Sequence, residues 1–310
     1  MIFIVAFDPA SIRICASQGA IGGDHLVGVL QALLQNCLIA EIRGTWRISQ
    51  ELVSAVKEIP EQGTRKTATA LLEKLLDPNR YRFVEVITGF EDDDETELGV
   101  ILASQIGNAD LDVVVCESES VAGPIEVVSI HGFNRSNFAR DRSRRASAII
   151  YAPGSKNANE ILDEALGRLI KHSNTVTIFD RVMGETFNDN YFHGLGHWCD
   201  YFIQSGLKKM VRFHTTRGQE KRIMDMLADK LDGSDIDYDV VVHEKSDQPH
   251  DRFLRAGAFT LDIGRGIDLF DENGVCRDVK IGLSDHGAFT RNWGHLEKPL
   301  ILACNTTGCG

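Results

Sequence analysis

Apolar and polar positions follow two periods along this chain, and their order predicts strands alternating with helices. The opening "MIFIVAFD" is a continuous apolar run ending in Asp8, the pattern of a buried parallel strand that delivers a carboxylate at its C-terminal end. The next stretch, "GGDHLVGVLQALLQNCLIAEI", keeps apolar residues at helical spacing up to Glu41, which predicts one helix with Asp24 as its N-cap. Two more amphipathic helices are predicted by "SQELVSAVKEI" and "TRKTATALLEKLLD", and "RYRFVEVI" reads as a strand or a buried continuation of this layer. In "DDDETELGVILASQIGNADLDVVVCESES" an acidic helix start precedes an apolar helix, a short turn and a β-branched strand ending in Glu117. Beyond a polar stretch the alternation resumes: "NANEILDEALGRLIKHSN" predicts a helix and "TVTIFD" a strand ending in Asp180. "YFHGLGHWCDYFIQSG" (helix), "LKKMVRFHT" (strand), "QEKRIMDMLADKLDG" (helix) and "IDYDVVVHEK" (strand) follow, before "FTLDIGRGID", a strand with a glycine-rich end. Such alternation predicts the α/β class with parallel sheets.

Length adds a boundary to this picture. A chain of 310 residues exceeds the usual single-domain size, so two α/β domains are expected, residues 1–130 and residues 147–310. Between them "HGFNRSNFARDRSRRAS" gathers Arg135, Arg140, Arg142, Arg144 and Arg145, and reads as a basic linker (131–146), either solvated or in contact with nucleic acid. With 43% hydrophobic and 25% charged residues, disorder and fibrous classes are excluded. The apolar runs are far shorter than the roughly 20 residues of a membrane span, and no basic segment precedes the first, so a cytoplasmic protein without a span is expected. Seven cysteines form no CxxC pair, as expected of reduced, buried thiols. Cys304 and Cys309, near the terminus, make no zinc site alone. The net charge of −12 excludes broad electrostatic capture of nucleic acid, though nuclease active sites are themselves acidic.

Asp8, Glu41, Asp94 with Glu97, and Glu117 each fall where a predicted strand ends or a helix edge faces that end. In an open α/β sheet these positions converge on the crevice beyond the carboxyl ends of the strands. Converging carboxylates suit Mg²⁺ or Mn²⁺, which take oxygen ligands and retain waters. On these residues the first half resembles the PIN-domain ribonucleases, over roughly residues 1–125. The resemblance implies a PIN-like parallel sheet, Asp8 and Glu117 as inner metal ligands, Glu97 or Asp94 as the third, and Glu41 as an outer carboxylate.

The stretch "QPHDRFLRAGAFTLDIGRGIDLFD" carries a second candidate chemistry. His250 and Arg252 stand two apart, on one side of a strand, the arrangement of a nucleophilic histidine beside a cation that neutralises phosphoryl oxygens. With Asp180 ending the domain's first strand, "HDR" followed by Gly264-Arg265-Gly266 and Asp268 resembles the phospholipase D-like domain found at the C-terminus of MIT-domain proteins, over about residues 147–295. That resemblance implies a phospholipase D-like sheet flanked by helices, with Arg252 and Arg265 as anion-binding groups. It also implies a decayed phosphodiesterase used to bind lipid headgroups or protein partners. An intact superfamily site needs two histidine motifs; His193, His197 and His214 are candidates for the second, and a homodimer could bring two His250 residues together.

The expected function is a metal-dependent nuclease, acting on RNA rather than DNA, with a phospholipase D-like recognition or assembly domain. Such a combination fits bacterial conflict and defence systems by analogy. Two alternatives stay open: a phosphodiesterase acting through His250, and a non-catalytic module that binds an anionic ligand or a protein.

Overall fold

The computed structural model describes residues 2–42, 46–77, 81–84, 111–117, 125–146, 148–205 and 210–297. It divides into two compact units, Met1–Ser147 and Ala148–Gly310.

The first unit is built on five parallel strands: β1 (Phe3–Phe7), β2 (Cys37–Ile42), β3 (Tyr81–Val84), β4 (Val113–Val115) and β5 (Glu126–Val128), in the order β3-β2-β1-β4-β5. β1 is entirely buried, as its unbroken apolar run requires. The order reverses between β1 and β4, the switch point beyond whose carboxyl ends open α/β sheets place their ligand crevice. The helices are α1 (Pro9–Ser17), α2 (Ala20–Asn36), α3 (Arg47–Lys57) and α4 (Gln62–Leu75), with α2 packed on α4 and α1.

Three expectations differ from the structure. The helix predicted to reach Glu41 ends at Asn36, and Cys37–Ile42 forms β2, buried at every residue; a strand covered on both faces shows no alternation to set it apart from helical spacing. Asp24 lies inside α2, whose N-cap is Gly19. The basic stretch is not a linker but part of the first unit, as the helix α5 (Asn137–Ala146). Phe138 and Ala139 are buried on it, and the buried Arg142 donates through Nη1 to Ala32 O at 3.0 Å and Gln35 Oε1 at 2.7 Å of α2.

The second unit carries a mixed seven-stranded sheet: β6 (Ile149–Tyr151), β7 (Thr175–Phe179), β8 (Met210–Thr216), β9 (Asp237–His243), β10 (Phe253–Ala256), β11 (Phe259–Asp262) and β12 (Val279–Ser284). Its order is β6-β12-β11-β10-β7-β8-β9; β7, β8 and β9 pair in parallel, and the remaining neighbours are antiparallel. The helices are α6 (Ala158–Lys171), α7 (Arg181–Glu185), α8 (Asp189–Gln204), α9 (Glu220–Leu231) and α10 (His286–Trp293). Leu261, Leu254, Ile178 and Phe213 stand in register as one fully buried row on one face of the sheet. The alternate row, Phe253–Phe179–His214, looks the other way. There Phe289 of α10 meets both Phe179 and Phe253 at 5.1 Å.

Candidate functional site

Asp8 follows β1 directly, and Glu117 lies two residues beyond β4, at the crevice between those neighbouring strands. Both are half-buried. Asp8 accepts from Ala10 N through Oδ1 at 3.0 Å, which caps α1, and its Oδ2 receives the Cys116 thiol at 3.3 Å. Ser11 joins the two acids: its hydroxyl lies 3.5 Å from Asp8 Oδ2 and accepts from Glu117 N at 3.0 Å. Glu117 Oε1 accepts from Ile130 N at 2.7 Å, which fixes the side chain on the loop after β5. Burial, with Glu117 adding to it, pushes the nearby Cys15 thiol up to about 11, so it stays a neutral donor to Gly22 O at 2.9 Å.

Glu41 sits elsewhere. It is fully buried on β2, and its carboxylate accepts from Ile42 N at 2.9 Å, Ile48 N at 3.3 Å, Ser49 N at 2.8 Å and Ser49 Oγ at 2.5 Å. All four contacts are internal, and three hold the first turn of α3, where a carboxylate complements the helix dipole. Asp94 and Glu97 lie outside the described residues. Among the described residues no group of three or more His, Cys, Asp or Glu side chains could hold a metal ion.

Sequence reasoning passed over two histidines at this edge. His131 follows the Ile130 amide that binds Glu117, its Nε2 contacts Gln18 Oε1, and its ring meets that of His25 on α2 at 4.7 Å. Only the tertiary fold brings them together, so no local spacing could have announced the pair.

In the second unit the Gly-Arg-Gly turn encloses a buried carboxylate. Asp180 is fully buried after β7; Oδ1 accepts from Val182 N at 3.1 Å and Met183 N at 3.2 Å, and Oδ2 from Ile267 N at 2.9 Å. Burial raises its pKa to about 6, against the opposing effects of the Ile267 amide and Arg252. Arg252 lies inward, with Nε 3.9 Å from Asp180 Oδ1 and Nη1 donating to Gly264 O at 3.3 Å. Arg265 Nη2 donates to Asp268 Oδ2 at 2.7 Å, and Arg277 pairs with Asp268 Oδ1 at 3.2 Å.

His250 is not part of this cluster. Its side chain is 80% exposed, and its ion-pair contact is Asp251 at 3.8 Å. Because β10 begins only at Phe253, the same-side rule for residues two apart on a strand does not govern His250 and Arg252. Of the other histidines, His193 packs against Phe192, and His197 Nε2 meets Asp271 O at 3.1 Å. His214 is buried, with Nδ1 2.8 Å from His243 Nε2, the two rings stacked at 5.0 Å and the Phe179 ring 4.4 Å away.

No known protein-family model matches this sequence, and no curated protein matches it significantly. Among the described residues no helix is long and apolar enough to cross a membrane.

Proposed function

We propose that the first unit is a PIN-like, metal-dependent phosphodiester hydrolase acting on RNA, and that the phospholipase D-like second unit serves recognition or assembly. One observation carries this reading: Ser11 bonds both the Asp8 carboxylate and the Glu117 backbone amide, at the carboxyl ends of the two strands that flank the sheet's reversal. Two half-exposed carboxylates suit a hard cation that keeps most of its waters, with Asp94 or Glu97 as the expected third ligand. Mg²⁺ or Mn²⁺ held there would supply an activated water and neutralise charge on the phosphodiester. The chain's own part is orientation: the Ala10 amide and Ser11 fix Asp8, and the Ile130 amide fixes Glu117. Glu41 has an internal task and is left out of the proposed site.

Incubating the full chain with labelled single-stranded RNA and DNA tests the reading. Cleavage of RNA with Mg²⁺ or Mn²⁺ is expected, lost with EDTA and in Asp8→Asn and retained in His250→Ala. Metal-independent cleavage lost only in His250→Ala would move the chemistry to the second unit. Absence of cleavage under all conditions would make the chain a binding module.

A further inference from the structure

Arg142 is a cation taken out of water without a counter-ion. The residue is 7% exposed, and among the described residues no carboxylate pairs with it. Its Nη1 makes all of its hydrogen bonds, to acceptors near the end of α2, where the helix dipole offers roughly half a negative charge. Nε is buried with no acceptor, and Nη2 has none among the described residues. Burial accordingly lowers the pKa of the guanidinium, with the Cys37 thiol acting against it. A full buried charge facing half a charge from a helix end is an incomplete site, because buried ions are ordinarily paired.

Arg142 lines a cleft of about 320 Å³ together with Asn134, Ala139, Arg140, Ser143 and Arg144. At 3.6 residues per turn, positions 139, 140, 142, 143 and 144 fall on one half of α5. Asp141 falls on the other half, exposed and paired with none of the arginines. Glu126, the other acid against α5, is taken up by Asn137 N at 2.9 Å and Phe138 N at 2.8 Å. Arg140 and Arg144 are exposed; Arg140 Nη2 donates to Asn137 Oδ1, and neither residue forms an ion pair among the described residues. Three guanidiniums thus line one cleft with no acid between them, in a chain whose net charge is −12. Two of them stand at i and i+4, where like charges destabilise a helix.

An arginine forks onto a phosphate through two parallel N–H···O bonds, and one such fork already satisfies a carboxylate. Three forks around a volume at the small end of ligand sites match consecutive phosphates instead. The cleft belongs to the amino edge of the sheet: the Phe138 ring meets that of Phe3, the first residue of β1, at 5.3 Å, and Glu126 begins β5. Asp8 follows the other end of β1, about 16 Å of strand away. We infer that the α5 cleft is a binding site, separate from Asp8 and Glu117, for two or three consecutive phosphates, those of a nucleoside polyphosphate or of a phosphorylated RNA 5′ end. The inference goes beyond the hydrolase reading and does not rest on it.

The experiment titrates the full chain calorimetrically with tripolyphosphate in EDTA, so that no cation at Asp8 and Glu117 can hold the probe. Saturable binding at one site is expected. Arg140→Gln and Arg144→Gln, at exposed positions that leave the Arg142 contacts with α2 in place, are each expected to weaken it about 10- to 150-fold, the loss of a hydrogen bond to a charged group. Arg144→Lys keeps the charge but not the fork, and weakens binding less than Arg144→Gln. Arg217→Gln removes a charge from the second unit, 74% exposed and beside Glu244, and leaves the affinity within about twofold. Absence of tripolyphosphate binding, affinity unchanged in both Arg140→Gln and Arg144→Gln, or an equal loss in Arg217→Gln overturns the inference. Uridine triphosphate and oligouridylates with a 5′ triphosphate or a 5′ hydroxyl then separate the sources. Binding of the triphosphorylated strand above uridine triphosphate assigns the cleft to an RNA end, and equal binding of those two assigns it to the phosphates of a nucleotide. A 5′-hydroxyl strand that binds as tightly as the triphosphorylated one overturns the inference in favour of backbone capture.

Discussion

A Cβ at position 266 would lie 1.9 Å from Asp180 Oδ2 and 2.8 Å from Arg252 Cγ, on a backbone whose φ of +72° already disfavours a side chain. The glycine therefore lets the 263–268 segment close over a carboxylate that has left water, and the Ile267 amide then reaches it. Gly194 performs the matching task on α8, where a Cβ would meet Ile267 O at 2.4 Å. Gly266→Ala is expected to cost the second unit about 3–5 kcal/mol, because it combines strain, a backbone shift and a disturbed buried charge network. Urea unfolding followed by tryptophan fluorescence measures it, and a loss below about 1 kcal/mol would mean that the turn accommodates a side chain elsewhere. The motif was legible in the sequence, but its meaning was not. "HDR" and "GRGID" read as phosphate chemistry, whereas Arg252 and Arg265 engage Asp180, Gly264 and Asp268 of the same unit.

Glu41 belongs to β2 by its backbone and to α3 by its carboxylate. Replacing it with glutamine turns one acceptor oxygen into an NH₂ group facing the amides of Ile42 and Ile48, or of Ser49. A buried donor opposed to donors costs about 1–3 kcal/mol, and the helix start loses its complementary charge as well. Glu41→Gln is therefore expected to lower the first unit's stability by that amount and to speed hydrogen exchange at Ile48 and Ser49 before the rest of α3. Uniform exchange along the helix would show that the cap is dispensable. Periodicity carried well where an element is amphipathic: α3, α4, α6 and α9 lie where their apolar spacing put them. It failed at β2, buried on both faces, and at α5, where four arginines concealed the buried positions Phe138 and Ala139 and where Arg142 is itself buried. A guanidinium that finds a backbone carbonyl and a glutamine on α2 needs the tertiary fold to be recognised as internal.

Acid acts on the whole second unit through two buried sites of opposite sign. His214, buried beside His243 and Arg212, has its pKa lowered from an ordinary 6.5 to about 3, and burial lowers His243 as well. Unfolded chains take up these protons near pH 6.5 and the folded unit does not, so the histidines leave stability untouched above that pH and subtract from it as pH falls towards 3. Asp180 runs the other way: its carboxyl, raised from 3.8 to about 6, is protonated in the fold before it is in the unfolded chain. Its burial cost is full above pH 6 and is relieved as pH falls towards 3.8. The histidine interval is the wider, and His243 adds in the same direction despite Asp247, which opposes its shift, while His295 reinforces it. Net loss of stability is therefore expected between about pH 6.5 and 4, read as a falling urea midpoint of the transition reported by Trp198 and Trp293. His214→Phe should begin less stable at neutral pH, since His243 Nε2 loses its partner, yet fall less on acidification. Asp180→Asn should fall more steeply than the parent, because the compensating proton uptake is gone. A slope unchanged in His214→Phe would move the acid sensitivity away from the stacked histidines.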